Sequence, residues 1–415
     1  MLKKILIGIK VLALVTGFVL VGFHLWQNGS PVIFRSQAAN AQSLLERQEL
    51  AKIFGHYFKS SEFPQELEID WKGERKLAQV EYTFDPDLTV EAQNLLQKFK
   101  PDYGALVALE PETGKILALA SYTVDKEMSE NLVFRDTFPA ASVFKIVTAA
   151  AAIDKHAISP DHEISFNGSF YTLYKRNVLS AAVNRWSHRL TLREAFGKSV
   201  NTAFGRLGLQ YLDLEDLKDY SSRFLFNSEM ITDMPVRGGI AEFPLEKGYE
   251  MAEVVSGFNR TTRMSPIQGG VIAGTIANFG ILRQPYLIQS LKTVQGEVLY
   301  EAQVSEGQQV VSMQSAAKLK ELMQETVTHG TSKKSFRELV RSKKFSEIEV
   351  GGKTGSLMGF EPKGKNDWFV GYGSHNGRQV AVAAIVVNKE RWKVRSSYLG
   401  QQMIRKYFLN VIDPD

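Results

Sequence analysis

The chain has 415 residues, 44% of them hydrophobic, enough to bury a full core in one large domain with something smaller beside it. Its 50 basic and 45 acidic residues are interspersed, and the net +5 comes without a long basic block or an aromatic-basic repeat, which argues against nucleic-acid binding. The lack of cysteine removes disulfides, thiolate catalysis, thiolate metal sites and an N-terminal lipidated cysteine together, and seven scattered histidines without H-E-x-x-H or H-x-H spacing suggest neither metal nor cofactor.

After Lys3 and Lys4 the run "ILIGIKVLALVTGFVLVGFHLW", Ile5 to Trp26, has the length needed to cross the hydrocarbon layer as a helix. The leading lysines favour a cytoplasmic N-terminus, so residues 1–27 read as tail and anchor in the cytoplasmic (inner) membrane, single-pass, with the rest extracytoplasmic or periplasmic. A cleaved signal peptide is the rival reading, because Ala39-Asn40-Ala41 has small residues, but that site lies well past the apolar run. Residues 28–76 read as a stalk or small pedestal. Within them "AQSLLERQELAKIFGHYF" is amphipathic, with Leu44, Leu45, Leu50, Ile53 and Phe54 near one helical face.

Residues 77–415 read as a single large domain. It opens with a strand, an Asp-Pro-Asp turn and a helix in "LAQVEYTFDPDLTVEAQNLLQKF". A hairpin follows in "ALVALEPETGKILALAS", turning at Glu110 to Gly114. From Phe138 to about Phe279 the pattern is mainly helices and loops. Strands return in "IEVGGKTGSL", "DWFVGYGS" and "QVAVAAIVVN", before the helical tail "SSYLGQQMIRKYFLNVI". Strands at both ends with helices between them predict an α+β fold: an antiparallel sheet with a mainly helical subdomain inserted.

Three short patterns carry chemistry. In "PAASVFKIVTAAAAID" an apolar helix is expected after Pro139, with Ser142 and Lys145 one turn apart on a shared face. Burial among apolar neighbours would lower the lysine's pKa and let it take the serine's proton. A second copy of the spacing, Ser315 to Lys318, lies in a helix dotted with charge, where Lys318 is expected to be solvated. In the second pattern, Ser199 and Asn201 flank Val200 at an expected turn between two helices; the hydroxyl could relay a proton and the amide hold a peptide carbonyl. Ser-x-Asn spacing also occurs at Ser129, Ser165 and Ser374, and only the helical context separates the copies.

The third pattern is Lys353-Thr354-Gly355-Ser356. It is not the end of a phosphate-binding loop, because that loop would need glycine where Glu347 stands. It reads as a strand edge with an exposed ammonium and two hydroxyls suited to a carboxylate, and with Gly355 leaving room for a substrate backbone.

Ser-x-x-Lys, Ser-x-Asn and Lys-Thr-Gly in that order resemble the penicillin-binding proteins and serine β-lactamases. From about Val80 to Val387 the flanks "FDPDLTVEAQ", "SPIQGGVIAGTIANFG", "VTHGTS" and "DWFVGYG" are similar to those of a penicillin-binding transpeptidase domain. The resemblance implies a five-stranded antiparallel sheet flanked by helices with an inserted all-helical subdomain. It implies Ser142 as acylated nucleophile, Lys145 as its base, and Ser199 with Asn201 on the facing wall. Lys353, Thr354, Gly355 and Ser356 would bind the terminal carboxylate end of a peptidoglycan stem peptide, and the N–H groups of Ser142 and Ser356 would form an oxyanion hole. Departures are "PAA" before the nucleophile, "GFNRTTRMSP" where glycine and glutamine are common, and Ser356 where threonine is usual.

The activity implied is D,D-transpeptidation, inhibited by β-lactams. About eighty residues precede the domain, too few for a glycan-polymerising domain, so a separate glycan polymerase is expected. The nearest alternative is a D,D-carboxypeptidase. A class D β-lactamase shares Ser142-Val143-Phe144-Lys145 and Trp368-Phe369-Val370-Gly371 but is less similar at Ser199 to Asn201. A β-lactam-binding sensor or non-catalytic scaffold is the reading outside the enzymes.

Overall fold

The computed structural model describes residues 44–125 and 130–412. The expected membrane segment Ile5 to Trp26 lies outside them, and no helix among the described residues is long and apolar enough to cross a membrane.

Helix α1 (Arg47–Lys59) begins at a capping box between Glu46 and Glu49 and buries Leu50, Phe54 and Phe58, spaced four residues apart. Leu44 and Leu45 precede the helix instead of extending its apolar face, and Leu44 is exposed. The hairpin β1 (Glu66–Trp71) and β2 (Glu74–Tyr82) follows. Helix α2 (Pro86–Phe99) has proline in its first turn, an Asp85 side chain that accepts from the Leu88 N–H, and a left-handed Lys100 at its end. Strands β3 (Tyr103–Leu109) and β4 (Ile116–Thr123) form the expected hairpin.

The middle of the chain is mostly helical, with α3 (Lys145–Ala150), α4 (Asn201–Tyr211) and α5 (Pro266–Ala277) the helices that matter for the site. Strands β5 (Ile288–Thr293) and β6 (Val298–Glu301) join the first hairpin in a four-stranded sheet ordered β1-β2-β5-β6. Residues 78–82 of β2 thus tie the first hairpin to a strand from far along the chain. Helices α6 (Met313–Thr328) and α7 (Lys333–Arg341) precede three long strands, β7 (Glu349–Phe360), β8 (Lys363–His375) and β9 (Arg378–Asn388), and the tail helix α8 (Ser396–Ile412).

The five-stranded antiparallel sheet runs β7-β8-β9-β3-β4, as anticipated. Both faces are covered, which explains the near-continuous apolar runs in β3 and β9. Ala105, Val107, Ala383 and Ile385 join the core that contains Ile267 and Val271 of α5. Leu106, Ala108, Val382 and Ala384 join the core that contains Leu95 of α2 and Leu399 and Phe408 of α8. The edge strand β7 carries the Lys-Thr-Gly pattern and faces the helical subdomain.

Candidate active site

The helix expected from Pro139 is three short pieces. Ser142 sits in a 3-10 turn (Ala141–Phe144) that leads into α3 and then a π-helical turn (Ala151–Lys155). Residues three apart eclipse one another in 3-10 geometry, and Lys145 Nζ accordingly lies 2.8 Å from Ser142 Oγ. Just before the serine, Ala141 takes φ +48°, a left-handed conformation that costs energy in a residue with a side chain. Gly257, at φ +64°, lies against this turn; a Cβ there would sit 2.0 Å from the Ala141 carbonyl oxygen.

Lys145 is fully buried. As an ammonium it donates to Ser142 Oγ, to Asn201 Oδ1 at 2.7 Å and to the Ser256 carbonyl. Burial, and then the charge of Lys353, hold its pKa well below the usual lysine value. A neutral amine has two N–H donors and one lone pair. Asn201 Oδ1 and the Ser256 carbonyl only accept, so they take both donors, and the lone pair is left facing the Ser142 hydroxyl.

Ser199, at φ +57°, forms the turn between a short helix (Leu192–Gly197) and α4, as its context suggested. Its Oγ accepts a 2.9 Å hydrogen bond from Lys353 Nζ. Asn201 donates through Nδ2 to the Tyr171 carbonyl at 2.7 Å, which fixes the orientation of its amide oxygen toward Lys145.

Two expectations for the third pattern are corrected. Lys353 is not exposed at the strand edge; it has no accessible surface, and Nζ also donates to the Thr354 carbonyl at 2.9 Å. Burial lowers its pKa to about 7. The side chain is covered because residues distant in sequence close over it, including Phe196, whose ring centroid is 5.4 Å from Nζ. Gly355 serves the protein's own backbone: a Cβ there would lie 3.2 Å from Ser142 N and 3.3 Å from the Ala140 oxygen. The missing side chain lets β7 press against the nucleophile turn.

Ser142, Ser199, Asn201, Thr354, Gly355 and Ser356 line one cleft of about 730 Å³, with Lys145 and Lys353 buried beneath its wall. Tyr171, Phe258 and Thr331 also line it and were not singled out. Thr331, whose hydroxyl hydrogen-bonds that of Thr354, lies in the quoted "VTHGTS" segment; nothing local marks Tyr171. Phe258 falls in the atypical "GFNRTTRMSP" stretch, a weak signal at most.

The second Ser-x-x-Lys copy is built differently. Ser315 is buried at the start of α6, where its N–H donates to Ser312 Oγ and its hydroxyl accepts from the Ser312 hydroxyl and hydrogen-bonds Asp154. Lys318 is half-buried rather than fully solvated. Among the described residues, no group of His, Asp and Glu is placed to hold a metal ion.

A serine paired with a buried lysine, a serine and amide on the opposite wall, and a lysine-bearing strand edge define an acyl-transfer site. The chain belongs to the penicillin-binding protein transpeptidase domain family, whose model matches residues 104–406. It is 29% identical over 349 residues to peptidoglycan D,D-transpeptidase PbpA of Mycobacterium tuberculosis, covering 74% of this chain and 67% of the relative. It is 27% identical over 283 residues to stage V sporulation protein D of Bacillus subtilis, covering 65% of this chain and 42% of that protein. Among solved structures it is similar to penicillin-binding protein A from M. tuberculosis in its penicillin G acyl-enzyme complex, with 26% identity, a TM-score of 0.63 and coverage of 81% of each chain.

Proposed function

We propose that the chain is a membrane-anchored serine D,D-transpeptidase, with its catalytic domain outside the cytoplasmic membrane, that cross-links peptidoglycan stem peptides. The observation that carries the chemistry is the arrangement around Lys145, which leaves a lone pair for Ser142. Ser142 Oγ attacks the carbonyl of the penultimate D-alanine while its proton passes to Lys145. The oxyanion is held by the N–H groups of Ser142 and Ser356, a placement favoured by the close fit of Gly355 against Ser142.

Lys353 donates to Ser199 Oγ, which leaves the Ser199 proton free to move toward the departing amine. As the C–N bond breaks, terminal D-alanine leaves with that proton, the proton that Lys145 took from Ser142 replaces it on Ser199, and an ester on Ser142 remains beside a neutral Lys145. An amine from another stem peptide then attacks the ester, its proton returns to Ser142 Oγ, and the cross-link forms. Thr354 and Ser356 meet the donor's terminal carboxylate at the surface, and Lys353 supplies positive charge beneath them. Glycan polymerisation falls to a separate protein. Penicillin acylates the same serine because its strained amide mimics the D-alanyl-D-alanine bond. Hydrolysis of the same ester would make the enzyme a D,D-carboxypeptidase.

Labelled penicillin and peptide mapping test this reading. The adduct is expected on Ser142 alone. Ser142→Ala abolishes labelling, Lys145→Ala slows it by several powers of ten, and Ser315→Ala leaves it unchanged. An adduct on Ser315, or none on folded protein, overturns the assignment.

A further inference from the structure

The cleft does not end at Thr354 and Ser356. It continues onto a shelf formed by Lys334 and Ser335 of α7, Lys365 and Asp367 of β8, and Arg395 and Ser397 around the start of α8. Hydroxyls of Ser335 and Ser397 join the two helices at 2.8 Å. The ring of Trp392 lies 3.9 Å from the Arg395 guanidinium carbon and 5.0 Å from Lys365 Nζ, so two of the cations are set on one aromatic face or edge. Among the described residues that line the cleft, Asp367 is the one carboxylate. It is buried, accepts from the Ser396 N–H at 2.8 Å and lies 3.6 Å from Arg395. It is already engaged, and the shelf sets three cations against one occupied anion.

The position of the shelf matters as much as its charge. If the donor's terminal carboxylate docks at Thr354 and Ser356, the residue carrying that carboxylate is the leaving group. The leaving amine then departs on the shelf side of Ser142. Bond formation to an incoming amine retraces that path, because the acceptor nitrogen must occupy the place the leaving nitrogen vacated. The remainder of the acceptor therefore extends over Lys334, Lys365 and Arg395.

We propose that this shelf is the acceptor subsite and that it selects an acidic peptide bearing a free primary amine. The inference rests on the acyl-enzyme reading above and deepens it. Carboxylates of the acceptor bind the shelf cations, which raises the amine's local concentration at the Ser142 ester relative to water. The amine nitrogen forms the new amide bond as the ester C–O bond breaks, and its proton passes through Lys145 to Ser142 Oγ. The shelf thereby biases the acyl-enzyme toward cross-linking over hydrolysis.

The test measures how a preformed acyl-enzyme, made from a small thioester donor, partitions between water and an added amine. The acceptors are a short peptide with one amine and two carboxylates, and the same peptide with both carboxylates amidated. Wild type is expected to prefer the acidic acceptor, and the preference to weaken as salt rises. In the double variant Lys334→Glu, Lys365→Glu, both exposed positions, the aminolysis-to-hydrolysis ratio for the acidic acceptor falls by about tenfold or more, the scale of losing a charge-assisted hydrogen bond. The ratio for the amidated acceptor does not fall. Equal use of both acceptors by wild type, an unchanged ratio in the variant, or a parallel fall in acyl-enzyme formation overturns the subsite. A wild-type acyl-enzyme that yields only hydrolysis with every amine overturns the transpeptidase reading as well.

Discussion

Lys353 Nζ donates a 2.9 Å hydrogen bond to Ser199 Oγ, tying the edge strand β7 to the turn that starts α4. With Lys145 bound to Asn201 Oδ1, two buried lysine side chains are anchored on residues two apart in sequence. The charge of Lys353 opposes an ammonium at Lys145, and neither side chain has a carboxylate among its hydrogen-bond partners. An anionic substrate would provide the missing counter-charge.

The first consequence is a pH dependence of acylation. Burial lowers the Lys353 pKa to about 7, and kcat/KM reports the free enzyme. For a donor with a terminal carboxylate, kcat/KM should fall as pH rises through about 7, because the attracting cation is lost. The amidated donor should lack that alkaline limb. Identical profiles for the two donors would contradict the electrostatic role of Lys353.

The same shift predicts how stability responds to pH. The folded pKa of Lys353 lies below its ordinary 10.5, so between about 7 and 10.5 the unfolded chain binds a proton that the folded chain does not. Folded wild type should therefore gain stability relative to Lys353→Met as pH rises through that window, by up to about 1.4 kcal/mol per pH unit. Urea melts of both proteins at pH 7, 8 and 9 measure the difference. A pH-independent gap would mean that Lys353 is not desolvated.

Asn201→Asp places a carboxylate where Lys145 now meets an amide oxygen. An opposite charge at this distance favours the ammonium, which raises the pKa. The acidic limb of Ser142 acylation should move to higher pH, while the rate at high pH recovers. A uniform loss at every pH would point instead to displacement of the Tyr171 segment.

Two glycines hold the nucleophile turn, and their substitutions should differ in severity. A Cβ at Gly257 would meet the Ala141 oxygen at 2.0 Å and carry a left-handed φ, whereas one at Gly355 would meet Ser142 N at 3.2 Å. Gly257→Ala should lower stability and abolish most acylation. Gly355→Ala should fold normally and lose on the order of ten- to a hundredfold in acylation, the sensitivity expected for small displacement of a reacting group. Equal effects would refute the view that β7 sets the position of Ser142.

Much was legible locally because its causes are local. Proline in the first turn of α2 with Asp85 as its cap, the apolar alternation of β9 and the tail helix from Ser396 depend on neighbours within a few residues, and the sequence displays those neighbours. Ser142 and Lys145 were paired for the same reason: a three-residue spacing brings side chains together in any tight helical turn. What tertiary structure alone decided is the surroundings of polar groups. Lys353 looks exposed in its strand, but Phe196 and Ser199, more than a hundred residues earlier, cover and bind it. Gly355 appears to make room for substrate and instead makes room for Ser142. The shelf gathers Lys334, Lys365 and Arg395 from two helix starts and a strand, with no spacing that a linear reading could detect. Burial and electrostatic environment are set by whatever packs across a cleft, and that information lies in long-range contacts that no local pattern encodes.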